Sequence, residues 1–193
     1  MPKITKSGGD FMVNFADEKV RFDMTTTARQ FEDIVIPFMQ NKSCNGEWIS
    51  CEGLSHLEDN NKLKQMFDLY CGIDWFYINN KNRVYGYAVR IQPGKDWGTF
   101  TIRKSRKSGT KTEFDKLTKA RDKGAVMPKY HLQCYLDNDD NVLAIYRVKT
   151  SDLLDYIEDG YAEEKCTYDG TKFYVCKVDG LKDEGYKVME VRG

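Results

Sequence analysis

Between positions 27 and 40 apolar residues recur three and four apart, so that Phe31, Ile34, Val35 and Phe38 share one face and Glu32 and Asp33 fall off its centre. The spacing predicts a helix over about 27–40, capped by Thr27, with a kink or early stop at Pro37, whose ring cannot continue the ladder. A second helix is predicted from "SHLE", where Ser55 and Glu58 make a capping box. Met66, Phe67 and Tyr70 form its stripe, and Gly72 ends it.

After Gly72 the period shortens to two. "IDWFYI" (73–78) and "VYGYAVRIQ" (84–92) flank the turn residues "NNKN", which predicts a hairpin, and "GTFTIR" (98–103) predicts a third strand. A helix follows over about 112–123, with Thr110 and Glu113 placed as a capping box and Gly124 as terminator. Strands at 129–136 and 142–149 surround "DNDDN", and "SDLLDYIEDG" predicts a short helix. From Tyr161 onward, Asp-Gly pairs at 169–170 and 179–180 predict turns, a C-terminal hairpin and one more short strand. This order predicts an α/β fold: a mixed central sheet flanked by helices over 1–160, with residues 161–193 as a β-hairpin extension packed on that core.

At 193 residues, a single domain buries roughly 70% of the surface of its unfolded chain and needs no disulfide or structural metal to fold. None of the six cysteines has the CxxC spacing of a zinc site, so they are expected to be reduced thiols. No apolar run approaches the length of a membrane span, and "MPKITKSGGDFMVNF" lacks a signal-like apolar core. A cytoplasmic protein without a membrane partner is expected.

The zero formal charge hides an asymmetry. From Lys81 to Tyr130 there are fourteen Lys or Arg and four acids, a net of +10, which leaves −10 for the rest. The densest part, "RKSRKSGTK" (103–111), is Ser/Gly-rich and reads as a loop able to contact phosphates through Arg103, Lys104, Arg106, Lys107 and Lys111, or as a solvated face. Tyr85, Tyr87 and Trp97 are placed either to stack on unpaired bases or to join the core. The histidines, His56 and His131, belong to no nucleophile–base–acid set, and no glycine loop has a phosphate-cradling pattern.

A two-residue period puts Arg90 and Gln92 on one face of their strand with Gly86 and Ala88, and Tyr85, Tyr87, Val89 and Ile91 on the other. Asp74, after a glycine at the start of the preceding strand, can reach that polar pair across the hairpin. An acid-bearing helix, then Gly72-Ile73-Asp74, a turn, and a strand closing on Arg90-Ile91-Gln92 resembles the restriction-endonuclease-like PD-(D/E)XK nuclease superfamily. The stretch also resembles a set of uncharacterised bacterial and phage proteins sharing the GID, AVRIQ and FTIR segments.

The resemblance implies a restriction-endonuclease-like fold acting on nucleic acid, with DNA as the expected partner. In the superfamily two acids hold a divalent cation and a lysine stabilises charge nearby. Arg90 here takes the second acid's place and would repel the metal, and Gln92 takes the lysine's place. The expected function is therefore nucleic-acid binding with an altered or degenerate site, the binding residues being Arg90, Arg103, Lys104, Arg106, Lys107 and Lys111. The alternative is an active nuclease using Mg²⁺ or Mn²⁺ on Asp74, with Gln92 and a relocated carboxylate as the other catalytic groups. Glu32 is preferred for that role over Glu52 and Glu113. Arg90 paired with Asp74 is a metal-free option, a small phosphorylated ligand held by Arg90 and Arg103 a weaker one, and a homodimer or protein partner remains open.

Overall fold

The computed structural model describes residues 26–42, 46–51, 71–107, 109 and 111–193. The second predicted helix, from Ser55 to Tyr70, lies outside these residues, as do Glu52, His56 and Thr110.

Helix α1 covers 26–41. Its middle, Phe31–Val35, is π-helical, the Ile36 N–H bonding back to the Phe31 carbonyl, and Ile36–Asn41 resumes as α-helix. Pro37 accounts for the change, because its ring would crowd the carbonyl four residues back and it has no N–H to offer. The helix thus widens ahead of the proline and continues beyond it. Phe31, Val35 and Met39 are its buried residues.

Six strands form the main sheet in the order β1 (Gly46–Ser50), β2 (Trp75–Asn79), β3 (Val84–Pro93), β5 (Tyr130–Leu136), β6 (Val142–Lys149) and β9 (Met189–Arg192). The β3–β5 pair is parallel, bridged in sequence by helix α2 (Glu113–Asp122), and the other pairs are antiparallel. The α/β class with a mixed, helix-flanked sheet is thus the one the pattern predicts. Strand β1 was not predicted. Its Trp48 packs edge-on to Phe31 of α1, with ring centroids 5.3 Å apart.

A second, three-stranded sheet has the order β4 (Thr99–Ser105), β8 (Lys172–Lys177), β7 (Glu163–Cys166). Residues 161–193, expected as an extension, supply strands to both sheets, and Cys176, Val178 and Leu181 join the buried cluster.

The main sheet separates two cores. On one face Tyr87, Leu132, Cys134 and Ile145 pack with Phe31 and Val35 of α1. On the other, Tyr135, Tyr146 and Val148 pack with Phe100 and Ile102 of β4 and Leu117 of α2. Leu153 and Leu154 of α3 (Thr150–Glu158) complete that second core.

Two local expectations are corrected. The capping box of α2 closes between Thr112 and Asp115, not Thr110 and Glu113, and the Thr112 N–H donates to Asp115 Oδ2 at 2.9 Å. Glu113 is drawn away by other partners, described below. Asp179-Gly180 lies within helix α4 (Val178–Asp183) rather than in a turn. A Cβ at residue 180 would collide with the Tyr156 hydroxyl, so this glycine permits a close helix approach. Asp169-Gly170, by contrast, closes the β7–β8 hairpin, with Gly170 at φ +81°.

Candidate functional site

A cavity of about 850 Å³ opens between β3 and the outer face of the small sheet. Alternation along the small strands builds one wall. Phe100, Ile102 and Cys176 turn inward to the core, which leaves Thr99, Thr101 and Arg103 of β4 facing the cavity with Phe173, Val175 and Lys177 of β8. Register places Arg103 opposite Phe173, and Phe173 opposite Lys165 of β7. The opposite wall comes from Asp74, Arg90 and Gln92, with the exposed Trp97 at the rim; Phe31 and Trp75 border the cavity only from within the buried core under α1.

Asp74, Arg90 and Gln92 all line this one cavity. The paired register of β2 with β3 ends at Trp75 opposite Tyr87, and Asp74 carries the junction one step further. Its N–H donates to the Tyr87 carbonyl at 2.9 Å, and its Oδ2 accepts the Val89 N–H at 2.7 Å. The carboxylate thus takes the place of a ladder acceptor. Gly86, the small residue of this hairpin, lies over Ile73, where a Cβ would be only 3.0 Å from Ile73 Cδ1.

The carboxylate that meets Arg90 is Glu113, at 2.8 Å from the guanidinium, instead of the Asp74 proposed from spacing. Arg90 also donates to Thr101 Oγ1 at 3.2 Å. Glu113 Oε2 additionally accepts the Arg103 N–H at 3.4 Å, and its Oε1 lies 3.5 Å from His131 Nε2. Burial alone would raise the Glu113 pKa, but Arg90, His131 and the Arg103 N–H hold it below the usual range. Burial lowers the His131 pKa; Glu113 opposes that effect and Arg90 adds to it. His131 and Gln133, both fully buried on this face of β5, make no side-chain hydrogen bond among the described residues.

Arg103 has no carboxylate partner within 4.0 Å among the described residues. Its guanidinium lies 5.6 Å from the centre of the Phe173 ring, and that of Arg90 lies 5.8 Å from the same ring. Burial, with repulsion from Arg90 and Arg106, outweighs attraction from Glu113 and Asp169 and brings the Arg103 pKa down to about 10, so it remains charged at neutral pH. Two arginines thus share one aromatic ring, while Glu113 pairs with only one of them.

The other expected binding residues are dispersed. Lys104 is paired with Glu164, Arg106 and Lys107 are exposed at the end of β4, and Lys111 lies close enough to Lys119 to lower its pKa. Glu32 is exposed on α1 and does not line the cavity. Of the two carboxylates that do so among the described residues, Glu163 is held by Lys165 and Lys177. The other, Asp74, accepts the Val89 N–H, and the guanidiniums of Arg90 and Arg103 line the same cavity, a set that does not suit Mg²⁺ or Mn²⁺, which need several oxygen ligands and no competing cation. Sequence reasoning missed Phe173, Lys165 and Lys177. The only available signal was the alternation of "KFYVCK", which puts Phe173, Val175 and Lys177 on one face.

In comparison with known proteins, no family model and no curated protein matches this chain.

Proposed function

We propose that the protein binds nucleic acid in this cavity without relying on a divalent metal there, as a restriction-endonuclease-like module with an altered site. The observation that carries the reading is Arg103, a half-buried guanidinium beside Arg90 with no carboxylate within 4.0 Å among the described residues. A phosphate would supply the missing counter-charge, and the planar fork of arginine suits its oxygens. Arg90, fixed from behind by Glu113 and Thr101, presents a second fork without needing to be ordered on binding. The convergence of Asp74, Arg90 and Gln92 supports the nuclease resemblance in position. Their chemistry favours holding an anion over activating water at a metal. Arg106 and Lys107 extend the positive surface from the cavity to the adjoining loop.

Fluorescence anisotropy with labelled oligonucleotides at 50 and 200 mM salt tests this function. Wild-type protein is expected to bind in a salt-dependent way. Arg103→Ala should weaken binding at least tenfold and reduce the log–log salt slope by about one. Wild-type protein that fails to bind any oligonucleotide at 50 mM salt, or an unaltered Arg103→Ala variant, would overturn the proposal.

A further inference from the structure

We infer that the cavity accepts one unpaired, phosphate-bearing nucleotide, its phosphate at the Arg90–Arg103 pair and its base against the aromatic wall; this rests on the nucleic-acid reading above.

Size comes first. About 850 Å³ falls within the range of small-ligand pockets, roughly 300–1,000 Å³, and suits a nucleotide unit rather than a helix of two strands. The composition of the walls points the same way. Trp97, exposed at the rim, and Phe173, against the two guanidiniums, offer aromatic surface in one enclosure with Arg90 and Arg103. In a duplex the faces of the bases are covered by their neighbours and only phosphates and groove edges are presented, so such aromatic surface would have nothing to stack on. An unpaired nucleotide offers a ring face and an anion together.

Position adds a third constraint. Gln92 follows Arg90 by two residues on the same face of β3, a separation of roughly 6.6 Å along the strand. Both line the cavity, and the Gln92 amide makes no side-chain hydrogen bond among the described residues. The amide has a donor and an acceptor side by side, the pairing that reads the edge of a base. With the phosphate at Arg90 and Arg103, Gln92 stands where the attached base would extend. Glu163, the acid on the facing wall, is neutralised by Lys165 and Lys177 and so does not oppose an entering phosphate.

The occupant can be a nucleotide within a strand or a free nucleoside monophosphate, and one competition experiment separates these sources. A labelled twelve-residue single strand is bound to the full chain, then challenged with the same sequence as a duplex, with nucleoside monophosphates, and with inorganic phosphate. The single strand is expected to bind at least tenfold more tightly than the duplex. Nucleoside monophosphates should displace it at concentrations where inorganic phosphate does not.

Gln92→Ala should change the ranking of the four bases while leaving the salt slope intact, and Arg103→Lys, which keeps the charge but loses the fork, should weaken every ligand. Thermal melts of both variants establish that they fold; Trp97→Ala, at an exposed rim position, supplies a third variant expected to weaken base-containing ligands only. Equal binding of duplex and single strand would overturn the inference and leave nucleic-acid binding standing. Displacement by inorganic phosphate as effective as by nucleotide would overturn the role of the aromatic wall. Binding of free nucleotides without binding of any strand would overturn the strand-binding function and retain the nucleotide site.

Discussion

Arg90, near the centre of β3, and Glu113, in the first turn of α2, meet at 2.8 Å. The pair joins a strand of the main sheet to the helix that carries the chain across to β5. Through the Arg103 N–H on the same carboxylate oxygen it also holds β4 of the small sheet. Glu113 gains from its place at a helix N-terminus, where the partial positive charge of unpaired N–H groups favours an anion. Its side chain is about four-fifths buried and that of Arg90 about three-quarters, so solvent screens the pair only in part. One ion pair thus fixes the relation of both sheets and presents Arg90 to the cavity.

Arg90→Glu would place a carboxylate against Glu113 and remove the partner of each. Loss of one member of a buried pair costs about 3–5 kcal/mol, and partial exposure here reduces the expected cost to about 2 kcal/mol. Urea denaturation should show that loss without any gain of Mn²⁺-dependent cleavage. A stable variant that binds Mn²⁺ and cuts a labelled oligonucleotide would show instead that the cavity is a nuclease site with one ligand exchanged.

Acidification should destabilise the protein in two stages. The His131 pKa is lowered in the folded state, so the unfolded chain takes up a proton first, and stability falls as pH drops below about 6.5. The Glu113 pKa is also lowered, so its contribution is present above about 4.5 and is lost as pH falls through its lower folded value. Urea midpoints measured from pH 8 to pH 5 should decline in the wild type, and His131→Leu should flatten that decline whatever its effect on absolute stability. An unchanged slope in the variant would place the pH sensitivity elsewhere.

Much of this framework was readable from short-range pattern. Val84–Pro93 alternates cleanly and is followed by glycine, Tyr130–Leu136 sets two tyrosines among apolar residues, and Val142–Lys149 is dense in β-branched and aromatic residues, so local preference and final structure agree. What escaped depends on distant contacts. Gly46–Ser50 is short and contains a glycine and a glutamate, and it becomes a strand by pairing with Trp75–Asn79. The small sheet joins β4 to β8, some seventy positions later, a pairing that no local period encodes. The strand period likewise offers Arg90 the nearby Asp74, and Glu113 enters only through the more distant α2. The choice was decided when Asp74 turned to the Val89 N–H and α2 brought Glu113 over β3.

The corrected capping box gives a direct test of the α2 boundary. Thr112 is buried and bonds to Asp115 Oδ2 at 2.9 Å and to the Lys104 carbonyl at 3.0 Å. Thr112→Ala should cost about 1–2 kcal/mol in chemical denaturation, since it removes both the helix cap and a tie to β4. Asp115→Asn, which retains an acceptor for the Thr112 N–H, should cost less than half as much. Equal losses in the two variants would mean that charge at the helix start, rather than the cap geometry, supplies the stability.

Gln133 lies opposite Arg90 in the parallel β3–β5 register and is fully buried, yet neither atom of its amide has a hydrogen-bond partner among the described residues. A buried amide left unpaired costs about 1–3 kcal/mol of desolvation, and a thioether of similar length costs none. Gln133→Met keeps the unbranched shape and should therefore raise stability by about 1 kcal/mol, read as a higher urea midpoint at unchanged slope. The same variant should leave oligonucleotide affinity within twofold of wild type, because Gln133 does not line the cavity. A destabilised Gln133→Met protein would show that the amide is satisfied in solution and helps to hold the Arg90–Glu113 pair. In that case affinity should fall together with stability.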